Sequence, residues 1–288
     1  MRIRRLVFSM VTALALAVPL ITAPLAASAR PDDDLRRGVS AEQSFVELKA
    51  AQPDWYTPRL HQRVLAAAER GEGVPVPAGA DHDTSGLAFT GIRPGAWIIS
   101  PSGCTTNFVF GSASNYFIGT AGHCASVGDE VTVIAAPGVL MNIGTTVKSV
   151  DKGVGNDFAL IDVRASMEQY VNPSMAYFGG PTAAGSPQYG DVVEHSGHGL
   201  VIGTGGTPRA GAVVYRSAGA FAWVGAASPG DSGSAVRLAS GEAAGALTHL
   251  VVGGKYLPGN VAGTTIARMR NIAGKPLATA PDGPDPTY

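Results

Sequence analysis

Between about residues 89 and 276 the chain is a succession of short apolar runs broken by Gly, Ser, Asn and Pro. "AWIIS", "NFVFGS", "YFIGTAG", "EVTVIA", "FALIDV", "GDVVEH", "AVVYRS", "FAWVGA", "SAVRLA" and "THLVVGG" all read as strands. Their close spacing restricts the segment to a β-sandwich or a β-barrel. With 38 Gly and 20 Pro and few long helical periods, the chain calls for many tight turns. A short helix is expected near the end, over "TTIARMRNIAG", with Thr264 or Thr265 as its cap. The residues from 277 to 288 form a polar tail expected to fray.

The N-terminus has a different texture. Arg2, Arg4 and Arg5 precede the apolar "LVFSMVTALALAVPL", and small residues follow at Ala27–Ala29. This is the pattern of an export signal over residues 1–29. The run is short and contains Pro19 and Pro24, which reads against a membrane anchor. The mature protein is therefore expected outside the cell, without stable membrane association. A net charge of −1 provides no basic footprint for nucleic acid.

Residues 30–88 form a charged, helical block ending in a linker. "SAEQSFVELKAA" carries a capping-box pattern, Ser40 with Gln43, and Phe45, Val46 and Leu48 would form a short apolar face. Pro53 interrupts it. A second helix restarts with Thr57 as cap and Pro58 at its first position, and stops at Gly71. A boundary is expected between residues 75 and 90.

The two cysteines, Cys104 and Cys124, read as a disulfide in an exported chain. The bridge would close a loop of about 20 residues and stabilise by roughly 3 kcal/mol. No close-set histidine pair lies beside them, so a zinc site is not indicated.

Three motifs carry the chemistry. "GTAGHC" places His123 in a glycine-framed turn at a strand end, "GNDFALIDV" opens a strand with Asp157, and "SPGDSGSAV" sets Ser232 among glycines. A serine hydroxyl needs a base to accept its proton as it attacks, and an imidazole titrates in the useful range. A carboxylate can hold the other ring N–H and stabilise the imidazolium. Gly230 can turn amide N–H groups towards one spot, so Gly230 and Ser232 are candidates for an oxyanion hole. Asp162 lies five residues after Asp157, on the other side of an ideal strand, and is the poorer candidate.

In the order His, Asp, Ser, these motifs resemble the chymotrypsin-like serine proteases, in particular their compact secreted bacterial branch. The resemblance covers residues 89–276. It implies two antiparallel six-stranded β-barrels, a short C-terminal helix and a preceding helical pro-region acting in cis. It also implies His123 as base, Asp157 as orienting carboxylate, Ser232 as nucleophile, and a Cys104–Cys124 bridge beside the histidine. The implied protein is a monomeric endopeptidase acting on protein or peptide substrates, without cofactor or metal. The alternatives are a non-catalytic binding protein on a protease scaffold and a glutamyl-specific endopeptidase. An esterase should show a "GxSxG" elbow and alternating strands and helices, which are not evident.

The sequence departs from the family in two places. Ser234 and Ala235 follow "GDSG", where many relatives carry "GP". There is also no basic activation site ahead of an "IVGG"-like start, so Asp231 needs another cation, with Arg209 and Arg216 as candidates. The family pattern puts the substrate pocket at Ala226, Ala227 and Ser228, with Thr248, His249 and Leu250 on another wall. No acid stands at the pocket base, so small or medium apolar side chains are expected there, and His249 is the residue that could instead favour an acidic one. Glu194, His195 and His198 lie close in sequence but read as a surface loop, and Trp97 and Trp223 as packing residues.

Overall fold

The computed structural model describes residues 45–80, 91–136, 138–199, 205–252 and 260–283. The export signal and the Ser40–Gln43 pattern lie outside them. Ahead of the barrels come β1 (Phe45–Glu47), α1 (Pro58–Ala68) and β2 (Val74–Pro75). Thr57 caps α1 by accepting the Leu60 N–H, Pro58 opens it, and Gly71 follows its end at φ +69°. Leu60, Val64, Ala67 and Ala68 recur at helical spacing and are buried. They cluster with Tyr56, Val74, Trp97, Ile99, Ile134 and Leu140, which fastens the helix to the outside of the first barrel.

That barrel is built from β3 (Trp97–Ser100), β4 (Cys104–Thr105), β5 (Val109–Ser112), β6 (Asn115–Thr120), β7 (Glu130–Ala136), β8 (Val139–Asp151) and β9 (Asp157–Val163). The pairing order is β4-β3-β7-β8-β9-β6-β5. β4 and β5 are the ends of one kinked stretch that crosses from β3 to β6. Thr106 N–H donates to Ala96 O, Asn107 N–H donates to Gly119 O at 2.7 Å, and Gly119 N–H donates to Phe108 O at 3.0 Å. The sheet thereby curls round into a half-barrel, around a core that includes Ile98, Val109, Ile118, Val131, Ile143 and Ile161.

The second barrel comprises β10 (Val192–His198), β11 (Gly205–Arg216), β12 (Ala220–Val224), β13 (Ala235–Leu238), β14 (Ala243–Val251) and β15 (Asn260–Thr265). Its ladder runs β14-β13-β10-β11-β12-β15 and closes through β14–β15. α2 (Ile266–Ala273) follows, capped by Thr265 and ended by Gly274 in the left-handed region. Phe108, Phe110, Phe158 and Leu160 of the first barrel share a cluster with Ala235, Ala243 and Ala246 of the second and Ile266 and Met269 of α2. The Trp97 ring stacks on His198 across the same junction, with centroids 5.8 Å apart. This is the two-barrel architecture of the chymotrypsin-like fold.

Three features differ from the sequence reading. The Phe45–Leu48 run is not helical: residues Phe45–Glu47 are a strand on β14, because a helix cut short by Pro53 does not repay its nucleation cost while the edge of β14 offers backbone partners. β8 and β15 go beyond the runs read from sequence. In β8, Gly144 and a bulge between Thr146 and Lys148 break the alternation that would betray a long strand. The tail does not fray over its described part: Leu277 bridges Phe110, Asp282 bridges Gly179, and Arg237 holds the Asp282 carboxylate at 2.5 Å.

Candidate active site

The site lies where the two barrels meet. Asp157 opens β9, and Thr264 at the end of β15 clasps its backbone: Thr264 Oγ1 accepts the Asp157 N–H and donates to the Asp157 carbonyl. Sequence reading offered Thr264 as a helix cap, a role that falls to Thr265. The Asp157 carboxylate then accepts three hydrogens, from Gly122 N–H, His123 N–H and His123 Nδ1. Nδ1 stands 2.6 Å from Asp157 Oδ2, and Nε2 stands 2.7 Å from Ser232 Oγ. A carboxylate only accepts, so Nδ1 carries the hydrogen and Nε2 is left as the acceptor facing the serine. The side chains of His123 and Asp157 are both fully buried. Asp162 is exposed on the opposite side of β9.

The turn before Ser232 is held from three sides. Thr105 joins the barrels by donating its Oγ1–H to Gly230 O and its N–H to Ser232 O, both within 2.9 Å. The Cys104–Cys124 disulfide ties this segment to the turn bearing His123. Asp231 is buried beneath the turn and receives Arg209 in a two-pronged pair, each N–O distance 2.8 Å, besides the N–H groups of Gly199 and Ser228. Arg216 instead reaches Gln188.

Gly230 has φ +106° and Gly233 φ +91°, a region in which side chains are strained. A Cβ on Gly233 would also stand 2.1 Å from Thr105 O. Gly233→Ala is therefore expected to lose roughly 2–3 kcal/mol of stability, read from urea unfolding. An unchanged midpoint would show that the turn relaxes without cost.

With Gly230 so turned, its N–H and that of Ser232 converge on one oxygen. That oxygen is the carbonyl of Leu48, at 2.6 and 3.2 Å. The Leu48 N–H donates to Ser232 Oγ at 3.0 Å. The sequence held no sign of this, since Leu48 reads there as part of a helical face.

The expected pocket residues separate. Ala227 and Leu250 pack against the apolar cluster of the second barrel, which contains Leu48, Val213, Val236 and Leu247. Ala226 is exposed and offers its carbonyl to Arg209. Ser228 is buried, with its N–H on Asp231. Thr248 places its carbonyl 3.0 Å from Ser232 Oγ and its hydroxyl 2.8 Å from His249 Nδ1. The His249 ring meets His123 and Phe45 edge to face, at 5.6 and 6.3 Å, so it lies between the base and the first residue of β1.

Glu194, His195 and His198 do not converge. Glu194 pairs with Arg237, His198 Nε2 meets the Gly95 carbonyl, and His195 packs on Trp223. Among the described residues no cluster could hold a metal ion.

Burial lowers the pKa of His195 to about 3 and those of His198 and His249 to about 4. All three are neutral in the folded protein well below their ordinary value of 6.5. The unfolded chain binds these protons more readily, so stability is full above about pH 6.5 and falls as the pH drops towards 4 and then 3. The expected slope is about 1.4 kcal/mol per pH unit for each histidine. Thermal melts between pH 7 and 4 check this; a flat midpoint would contradict it.

No family model matches the sequence, and no curated protein does. Among solved structures, Thermobifida fusca protease A is 20% identical, covering 66% of this chain and 98% of its own, with a TM-score of 0.46. Cellulomonas bogoriensis chymotrypsin is also 20% identical at the same coverage, TM-score 0.45. Nocardiopsis protease is 22% identical, again over 66% and 98%, TM-score 0.45.

Proposed function

We propose that this protein is an exported serine endopeptidase that cuts peptide bonds following small or medium apolar residues. The observation that carries the reading is the continuous chain from Asp157 through His123 to Ser232, with two N–H groups beside it aimed at a single carbonyl oxygen. Ser232 Oγ attacks the substrate carbonyl while His123 Nε2 takes its proton. The Gly230 and Ser232 N–H groups stabilise the oxyanion, and His123 returns the proton to the leaving amine. Water then hydrolyses the acyl ester by the same route. The apolar surroundings of Ala227 and Leu250 support the side-chain preference. The Cys104–Cys124 bridge supports export.

The test is labelling of the protein purified from the culture medium with a fluorophosphonate probe, mapped by mass spectrometry. Label on Ser232, lost in Ser232→Ala and His123→Ala, is the expected result. A folded protein with an open cleft that takes no label would favour a non-catalytic binding protein.

A further inference from the structure

The chain lays one of its own segments through the catalytic cleft. β1 runs antiparallel to β14, pairing Phe45 with Val251, Val46 with Leu250 and Glu47 with His249. Leu48 follows with its carbonyl on the two convergent N–H groups and its N–H on Ser232 Oγ. Its side chain is only 2% exposed, inside the apolar cluster of the second barrel. Lys49 turns outward and donates to the His123 carbonyl at 3.2 Å. Ala50 then exchanges two backbone hydrogen bonds with Gly103 on the first barrel, of 2.7 and 2.9 Å. Residues on both sides of the Leu48–Lys49 bond are thus held extended, and the bond itself lies at the nucleophile.

We infer that Leu48–Lys49 is the bond at which this protein cuts its own chain, and that leucine is accordingly a preferred residue on the acyl side of its cuts. The inference rests on the serine-endopeptidase reading above. Ser232 Oγ bonds to the Leu48 carbonyl carbon, and its proton passes to His123 Nε2. The Leu48–Lys49 C–N bond breaks, and the Lys49 amine leaves with that proton. Water then splits the Leu48–Ser232 ester, giving a Leu48 carboxylate and free Ser232.

The two products are held unequally. Downstream, Ala50 pairs with Gly103, Tyr56 is buried against Thr132, and α1 packs on the first barrel. Upstream, among the described residues, the contacts include the three-residue β1 ladder, the Phe45 ring against His249, the exposed Glu47–Lys49 ion pair and those of Leu48 itself. The upstream piece is the one that departs, and its departure opens the cleft. The segment from Lys49 through α1 stays with the enzyme. A boundary at the linker before residue 89 would instead remove the whole helical block.

The full chain is produced as wild type, Ser232→Ala, Leu48→Asp and Leu48→Met, and each is read by N-terminal sequencing and intact mass. Hydrolysis of the peptide anilide Phe-Val-Glu-Leu-p-nitroanilide and fluorophosphonate labelling are measured on the same samples. Wild type and Leu48→Met are expected to begin at Lys49, and Ser232→Ala to retain residues 45–48. Leu48→Asp puts a charge in an apolar pocket, so its processing at this bond should slow roughly a hundredfold or more. Because the charge also drives the segment out of the cleft, Leu48→Asp should still take the probe and cut the anilide. Lys49 as the first residue of Ser232→Ala would assign the cut to another protease and overturn the inference. So would a wild type intact at this bond while Leu48→Asp is labelled, a result that leaves the endopeptidase reading standing. Absence of label and hydrolysis in every folded sample would overturn that reading and this one with it.

Discussion

Asp157→Asn is expected to lower kcat on a leucyl peptide by about ten-thousandfold while the protein remains folded. Asp157 Oδ1 already accepts two backbone N–H groups, from Gly122 and His123. An asparagine would keep its oxygen on those donors and turn its NH2 towards His123 Nδ1. Two donors cannot face each other, so the imidazole hydrogen would move to Nε2. His123 would then donate towards Ser232 Oγ, where the reaction needs it to accept. His123→Ala removes the base altogether and should cost on the order of 10^5 to 10^6 in kcat. Circular dichroism and thermal melts alongside the kinetics separate these losses from unfolding. An Asp157→Asn enzyme within tenfold of wild type would show that the carboxylate does not set the tautomer.

Arg209→Ala should be the most destabilising replacement of an ionisable side chain, at roughly 3–5 kcal/mol in urea unfolding. Asp231 is fully buried and the Arg209 side chain is 10% exposed, so neither charge is solvated in compensation. Removing the guanidinium leaves the carboxylate, among the described residues, with the Gly199 and Ser228 N–H groups and no cation. The Ala226 and Gly197 carbonyls would lose the same donor. Arg209→Lys restores charge but cannot form the two-pronged pair, so it should recover only part of the loss. A double variant with Asp231→Asn should be less destabilised than the sum of the two singles, because the orphaned charge is then absent. Full additivity would contradict the pair's role. Asp231 sits between Gly230 and Ser232, so the same variants should lower kcat as well.

Local signals reported much of this molecule. Apolar runs between turn residues identified most of the strands, and Thr57, Pro58 and Gly71 framed α1 in sequence as they do in space. The three catalytic candidates could be named because each sits in a short motif whose glycines leave few alternative uses. β8 escaped because a bulge and Gly144 disturb its period of two. The residues read together as a pocket divide in space in a way no local signal shows. Ala227 and Leu250 pack on apolar side chains, whereas Ala226 and Ser228 serve the buried charge pair through their backbones.

Short-range signals were enough for the β-barrel texture, the cysteine pair and the choice of His123, Asp157 and Ser232 as the candidate set. These depend on residue type and on neighbours within a few positions, which is where turn chemistry and periodicity act. Only the folded chain brings Arg209 onto Asp231, Thr264 onto Asp157, and Leu48, just past β1, into the site. Each of those contacts joins residues 22 to 184 positions apart. In an isolated "SFVELKAA", helix and strand differ by too little for the side chains to choose. The choice falls to the edge of β14, to the two N–H groups of the turn at Ser232 and to the apolar interior of the second barrel, which exist only after the chain has folded.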